Sequence, residues 1–245
     1  MKQPHILCDS QDVAPYVLLP GDPARVLRVA DHLDEWHEVV FNREFRTITG
    51  SYHGTPVTVT STGIGGASAA IAVEELIACG ARGLIRIGSA GAIQPEIELG
   101  DLIIAQGAVR EDGASHMYVQ QGYPATADPQ MTVWLEEVCR KRQFPYHTGI
   151  VRSHDSFYID DEVALMEKWH QKGILGSDME TAALLTVARL RGVRAASILN
   201  NVVLYLADVK AGIGNYVDEG AATSAGEFNG IVAALEVFRI MANSG

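Results

Sequence analysis

Apolar residues in this chain fall into short runs closed by glycine or proline, alternating with stretches in which they recur every three or four positions. Tyr16-Val17-Leu18-Leu19-Pro20 is a strand that turns at Gly21-Asp22-Pro23 into a helix over residues 24–33. Residues 41–47 alternate aromatic and charged side chains, the pattern of one strand with a wet face. Residues 51–56 form a hairpin turn into a strand over 57–61. That strand opens into Thr62-Gly63-Ile64-Gly65-Gly66-Ala67-Ser68 and a helix over 69–78. Strands follow at 84–92, 99–105, 148–153 and 195–203, and helices at 129–141, 163–172, 181–190 and 219–241, with a loop over 206–216. The helix over 181–190 is apolar enough to be buried. This order predicts an α/β fold with a central sheet, in one domain over residues 1–245.

The strand over 84–92 contains one charge, Arg86, and breaks into Gly88-Ser89-Ala90-Gly91. A guanidinium in an apolar strand needs an anion or a carboxylate to meet it, and its planar fork suits phosphate. Both readings stand at this point: an anion seat, or an Arg paired with an internal Asp or Glu. Arg25 lies in the first turn of its helix, where free N–H groups join its charge. The glycine loop at 63–66 lacks both the P-loop Lys and the GxGxxG spacing of a dinucleotide site. Asp178-Met179-Glu180 opens the buried helix. Glu180 is placed to accept hydrogen bonds from vicinal hydroxyls, while Asp178 suits the helix N-terminus itself. Phe157 stands just past a strand end, where α/β proteins place ligands.

Composition narrows the partner. With 245 residues, 47% of them hydrophobic, the chain can bury a large core, and its net charge of −11 excludes nucleic acid and anionic membranes as general partners. Any anion site must be a local cluster of Arg, so the expected partner is a small molecule. Cys8, Cys79 and Cys139 are far apart and lack metal-site spacing, which suits reduced thiols in the cytoplasm. The first ten residues do not read as a secretory signal, and the sequence has no run of about 18 apolar residues.

Taken in order, Gly21-Asp22-Pro23, the loop from Ser61 to Gly66, the stretch from Arg86 to Gly91 and Asp178-Met179-Glu180 resemble the nucleoside phosphorylases of the hexameric bacterial type. The runs Ala72-Val73-Glu74-Glu75-Leu76, Arg86 to Pro95 and Asp112-Gly113-Ala114-Ser115 are most similar to the uridine phosphorylase branch. The resemblance implies a mixed, distorted barrel-like sheet flanked by helices. It also implies reversible phosphorolysis, in which phosphate attacks the anomeric carbon and releases the base and a (deoxy)ribose 1-phosphate. Gly21, Arg25, Arg86 and Ser89 would bind phosphate, with Arg43 reaching a neighbouring subunit's site. Arg25, Arg86 and Glu180 would carry the catalysis. Met179 and Glu180 would hold the ribose, His5 would reach its 5′-hydroxyl across a dimer interface, and Phe157 would pack on base and sugar. Glu44, Ile64 and Ser68 match positions that hold a monovalent cation, making potassium a candidate structural ion. The resemblance calls for no cofactor beyond inorganic phosphate as co-substrate. It implies a dimer-based homo-oligomer, a hexamer, with shared active sites.

The base half departs from that pattern. Val203 stands where purine-specific relatives have an Asp, Asp161 and Val163 stand where the uracil-reading Gln and Arg are expected, and Leu204-Tyr205 replaces a later Asn-Arg pair. Asn200, Asn201, Tyr205 and Asp208 are alternative base contacts, with structural hydrogen bonding as the plainer role for each. Competing expectations are a purine nucleoside phosphorylase, a nucleosidase using water, or a non-catalytic nucleoside or phosphate binder. A complete anion cradle argues against the hydrolase. Replacing Arg86 with Ala is expected to remove phosphorolysis and leave the fold intact.

Overall fold

The computed structural model describes residues 1–207 and 220–244. Its strands are β1 (Tyr16–Pro20), β2 (Glu35–Asn42), β3 (Phe45–Tyr52), β4 (Thr55–Thr60), β5 (Gly83–Ala92), β6 (Leu102–Glu111), β7 (Ala125–Thr126), β8 (Tyr146–His154), β9 (Gly176–Asp178) and β10 (Arg194–Val203). The described helices are α1 (Pro23–Ala30), α2 (Gly66–Ala78), α3 (Gly113–Tyr118), α4 (Pro129–Arg142), α5 (Glu162–His170), α6 (Thr181–Leu190) and α7 (Ala221–Asn243). Strands run in the order β10-β6-β8-β9-β5-β1-β4-β3-β2, and β10 also pairs with β5. That extra pairing closes β10, β6, β8, β9 and β5 into a barrel and leaves β1, β4, β3 and β2 as a sheet extending from it. Parallel pairs (β1–β5, β10–β5, β6–β8) and antiparallel pairs (β10–β6, β5–β9, β3–β4) coexist. The mixed, barrel-like sheet expected from the sequence is the observed one.

Strand β1 and, apart from Arg86, the first half of β5 are apolar because both faces are covered. Leu18 and Ile85 pack with Phe238 of α7 and Leu135 of α4, whereas Val17, Leu19 and Leu84 pack with Val73 of α2 and Leu184 of α6. The period-2 alternation of a strand sends neighbouring residues into different cores. Arg86 pairs in register with Leu19, and Ile87 with Pro20, so the end of β5 lies beside the turn that starts α1.

Two sequence expectations change. Residues 41–47 are not one strand: β2 ends at Asn42, Arg43 turns with φ +56°, and β3 starts at Phe45. The wet-face alternation was real on each side, but the turn inverts it, pairing Phe41 with Arg46 and Asn42 with Phe45, and three residues on either side are too few to show the inversion. The strand expected over 99–105 starts at Leu102 and runs on to Glu111. Before it, Glu98 N–H donates to Asp101 Oδ2 and Gly100 adopts φ +87°, a turn that strand pairing cannot include. No described helix is long and apolar enough to cross a membrane. All three cysteines are buried and free, and burial pushes the thiols of Cys8 and Cys79 up to about 11 and that of Cys139 to about 12.

Candidate active site

The C-terminal ends of β1 and β5 and the start of α6 converge on Arg86. Its side chain is 5% exposed and folds back over Gly88, where an added Cβ would lie 2.5 Å from Nη2. Nε donates to Asp178 Oδ2 at 2.9 Å and Nη2 to Glu180 Oε2 at 2.5 Å. Of the two sequence readings of Arg86, the internal pair is the one observed. Arg86 Nη1, however, is buried with no hydrogen-bond partner among the described residues. An added Cβ on Gly21 would come within 4.0 Å of that nitrogen, so the glycine keeps the backbone beside Nη1 narrow. Burial opposes the charge on Arg86, but the Glu180 and Asp178 carboxylates outweigh it and hold its pKa above the ordinary guanidinium value.

Asp178 is an anchor for that arrangement. Its Oδ2 accepts from Thr181 N at 3.0 Å and Thr181 Oγ1 at 2.6 Å as well as from Arg86, and its Oδ1 accepts from Ser153 Oγ at 2.6 Å. The sequence placed Asp178 at the helix start for the helix's sake; the structure adds that it orients Arg86. Glu180 Oε1 accepts from Gly65 N at 2.6 Å, and its Oε2 from Met179 N at 3.3 Å as well as from Arg86. A carboxylate offers about four acceptor positions, so Glu180 keeps capacity on Oε1 for a hydroxyl. Burial raises its pKa, with Arg86 opposing and Asp178 reinforcing the rise; we read the paired group as ionised because Arg86 and two backbone N–H groups all meet the charged form.

Arg25 approaches from α1, whose N-cap Asp22 accepts from Ala24 N at 2.8 Å. Arg25 Nη2 donates to Ser89 Oγ at 3.1 Å, Nη1 to Ile87 O at 3.2 Å and Nε to Glu227 Oε2 of α7 at 2.7 Å. Glu227, which also pairs with Arg28, was not marked by the sequence, lying 202 residues from Arg25. Gly21, Arg25, Arg86 and Ser89 thus come together, with Met179 and Glu180 beside them. Arg43 is exposed at the β2–β3 turn, away from this cluster. His5 Nδ1 lies 2.6 Å from Glu75 Oε1 of α2, and that carboxylate also accepts from the N–H groups of His5 and Ile6. With Nδ1 engaged, Nε2 is the ring atom available to another group.

Glu44 Oε1 accepts from Ser68 Oγ at 2.7 Å, and this bond, followed by one from its own backbone, lowers its pKa. Ile64 beside them is 79% exposed. The described residues contain no group of three or more His, Cys, Asp and Glu side chains able to hold a metal ion. A monovalent-cation site would instead rest on Glu44, the Ser68 hydroxyl and a backbone carbonyl.

At the base end, Val203 is buried at a β-bulge in β10, with its Cβ 3.7 Å from where a Gly91 Cβ would be. Phe157 is half-buried, edge-on to Tyr158. Three alternative base contacts make internal hydrogen bonds, although Oδ1 of Asn200 and of Asn201 is buried with no partner among the described residues. Asn200 Nδ2 donates to Thr223 O, Asn201 Nδ2 to Glu98 O, and Tyr205 OH to Glu167 Oε2 while its ring stacks on His170. Asp208 lies outside the described residues. Sequence reasoning passed over Arg152, which is 2% exposed, bonds Glu111 and Glu162, and shares its neighbourhood with His154. His154 Nδ1 lies 2.9 Å from Ser156 O, and burial followed by the Arg152 charge holds its pKa below the usual imidazole value. The signal was a lone Arg in a strand, the same signal that marked Arg86.

Residues 15–225 match the sequence model of the Phosphorylase superfamily. Uridine phosphorylase of Thermococcus kodakarensis is 48% identical over 208 residues, covering 80% of this chain and 75% of that one. Guanosine phosphorylase of Halorubrum lacusprofundi is 40% identical over 197 residues, covering 80% and 81%. Among solved structures, uridine phosphorylase of Vibrio fischeri ES114 aligns with a TM-score of 0.92 at 48% identity, covering 98% of both chains. Purine nucleoside phosphorylase of Toxoplasma gondii, in complex with immucillin-H, aligns with a TM-score of 0.92 at 29% identity over 100% of this chain and 98% of that one. The chain belongs to the phosphorylase superfamily, and within it to the nucleoside phosphorylases, enzymes that cleave an N-glycosidic bond with phosphate.

Proposed function

We propose that the cluster around Arg86 seats phosphate and ribose for the phosphorolysis of uridine. The observation that carries this is Arg86 Nη1, a buried cationic donor with no partner among the described residues, facing Gly21 and flanked by the Arg25–Ser89 pair. Buried donors are satisfied in native proteins, and a phosphate oxygen satisfies this one. In the reaction, the bond from the anomeric carbon to the base nitrogen breaks with its electron pair leaving on the base, and a phosphate oxygen bonds to that carbon. Arg25 and Arg86 hold the dianion in a chain of net charge −11. The dianion in turn stabilises the positive charge that develops on the sugar. Glu180 fixes the ribose through its free acceptor capacity, so that held phosphate attacks in place of water.

The exposed Arg43 and the His5 Nε2 are read as contributions to a neighbour's site, which makes the active unit at least a dimer and fits a hexamer. Potassium at Glu44, Ile64 and Ser68 is a structural ion of that assembly in the same reading. Free, buried thiols suit a cytoplasmic enzyme. Phosphate-dependent turnover of a panel of uridine, thymidine, inosine and adenosine tests the function. Turnover unaffected by leaving out phosphate would refute it, and an active monomer in sedimentation would refute the shared site.

A further inference from the structure

Arg152 of β8, Ser177 of β9, Gly91 of β5 and Val203 of β10 pair in register across four neighbouring strands. Register partners turn their side chains to the same face of a sheet. Ser89, the hydroxyl bonded to Arg25, lies two residues before Gly91 and shares that face. The row therefore starts beside the phosphate seat and reaches Arg152 two strand spacings from Gly91, about 10 Å away. That is the length scale of a nucleoside, and the two positions between hold only a glycine and a serine.

Arg152 is buried, yet its hydrogen bonds are incomplete. Nε donates to Glu111 Oε2 at 2.5 Å and Nη1 to Glu162 Oε1 at 3.3 Å. Nη2 makes no hydrogen bond among the described residues, and Glu162 Oε2 is buried with no partner among them. One ion pair thus holds a donor open to a ligand and a buried carboxylate oxygen left unsatisfied, the second a costly state unless a ligand completes it. The complementary group is a carbonyl next to an N–H. Uracil presents that edge at O4 and N3–H, and a 6-oxopurine at O6 and N1–H. Cytosine and adenine present the reverse, an amino group next to a bare ring nitrogen.

We propose that Arg152 and Glu162 read the carbonyl–N–H edge of the leaving base. The inference rests on the phosphorylase reading above. It accounts for Asp161 and Val163, which stand where the resemblance expects a Gln and an Arg: the reading groups come instead from the end of β8 and the first residue of α5. An Arg on the carbonyl oxygen also meets the negative charge that grows on the base as the glycosidic bond breaks.

The test is phosphorolysis by the full-length protein of uridine against 3-methyluridine, and of inosine against 1-methylinosine, in the parent, Glu162→Ala, Glu162→Gln and Arg152→Lys. The parent is expected to prefer the unmethylated nucleoside by at least about 100-fold in kcat/KM, because a site built around a hydrogen bond strongly rejects an analogue lacking it. Glu162→Ala should lose about 10- to 100-fold on uridine and reduce the preference to under about fivefold. Glu162→Gln, which keeps a neutral acceptor, should recover part of both. Arg152→Lys should lose at least about tenfold on uridine. The KM for phosphate should stay within about twofold in every variant, which a general disturbance of the fold would not allow. A Glu162→Ala enzyme that keeps the parent's methyl discrimination would overturn the proposal and leave the phosphorylase reading standing. A parent that phosphorolyses no nucleoside would overturn both.

Discussion

Replacing Arg86 with Met removes the group that the proposed phosphate seat depends on, and the ion pairs it makes predict that the fold weakens as well. Asp178 and Glu180 side chains are 0% and 7% exposed, and Arg86 is the cation that both of them meet. Without it, two buried carboxylates face each other uncompensated. Breaking a buried ion pair by removing one partner costs about 3–5 kcal/mol, a large share of the roughly 5–15 kcal/mol by which proteins are stable. The fold expected to survive the loss of Arg86 is therefore expected to survive it with reduced stability. For a chain of this size each kcal/mol moves the unfolding midpoint by about 2–4 °C, so Arg86→Met should lower it by about 6–20 °C. The bonds from Ser153, Thr181, Gly65 and Met179 remain, so the variant should still fold at low temperature. The assay is thermal and denaturant unfolding in parallel with phosphorolysis, comparing Arg86→Met with the double variant Arg86→Met/Glu180→Gln. Neutralising Glu180 should restore part of the lost stability and none of the activity. A single variant within about 1 kcal/mol of the parent, or a double variant no more stable than the single, would refute the coupling described above.

Gly88→Ala should cut kcat/KM by about 100-fold with a modest loss of stability, because the new Cβ would lie 2.5 Å from Arg86 Nη2 and must push the guanidinium aside; steady-state kinetics at saturating phosphate decide it. Asp128 caps α4 through Met131 N at 2.9 Å and holds Arg194 with both oxygens, so Asp128→Ala should cost about 1–2 kcal/mol in urea unfolding, and Asp128→Asn, which still caps, clearly less. Although burial opposes its charge, Arg194 and the backbone N–H groups hold the Asp128 pKa below the carboxylate norm, so its stabilisation is present above the unfolded value and is lost as pH falls through the folded one. At the alkaline end, the buried thiols titrate at about 11 (Cys8, Cys79) and about 12 (Cys139) against 9.0 for an exposed thiol. The unfolded chain then loses those protons first, and stability should fall from pH 9 upward by about 1.4 kcal/mol per thiol at pH 10. A Cys139→Ala chain with the parent's full alkaline slope would contradict that.

What the sequence determined by itself was local. The apolar run into Gly88-Ser89-Ala90-Gly91, the strand-to-helix turn at Gly21-Asp22-Pro23 and the apolar helix after Glu180 each carry their conformation in neighbouring residues, and all lie where the sequence placed them. The hairpin turn at 51–56 was equally legible, with His53 at φ +47° and Gly54 at φ +77°. Periodicity could not see the turn at Arg43, because the phase change it makes, pairing Phe41 with Arg46, falls within a run of only seven residues. Only the tertiary structure decided what the charges do. Arg86 reads from sequence as either an anion seat or an internal ion pair, and packing β9 and α6 against β5 makes the pair while leaving a donor over: two nitrogens hold Asp178 and Glu180 and the third faces Gly21. Arg25 meets a glutamate 202 residues away, and Arg152 in β8 meets Glu111, 41 residues away at the end of β6, because those two strands pair. A side chain's partner is set by long-range closure, which leaves no periodic trace in the chain, whereas strand and turn conformation are set within a few residues and do.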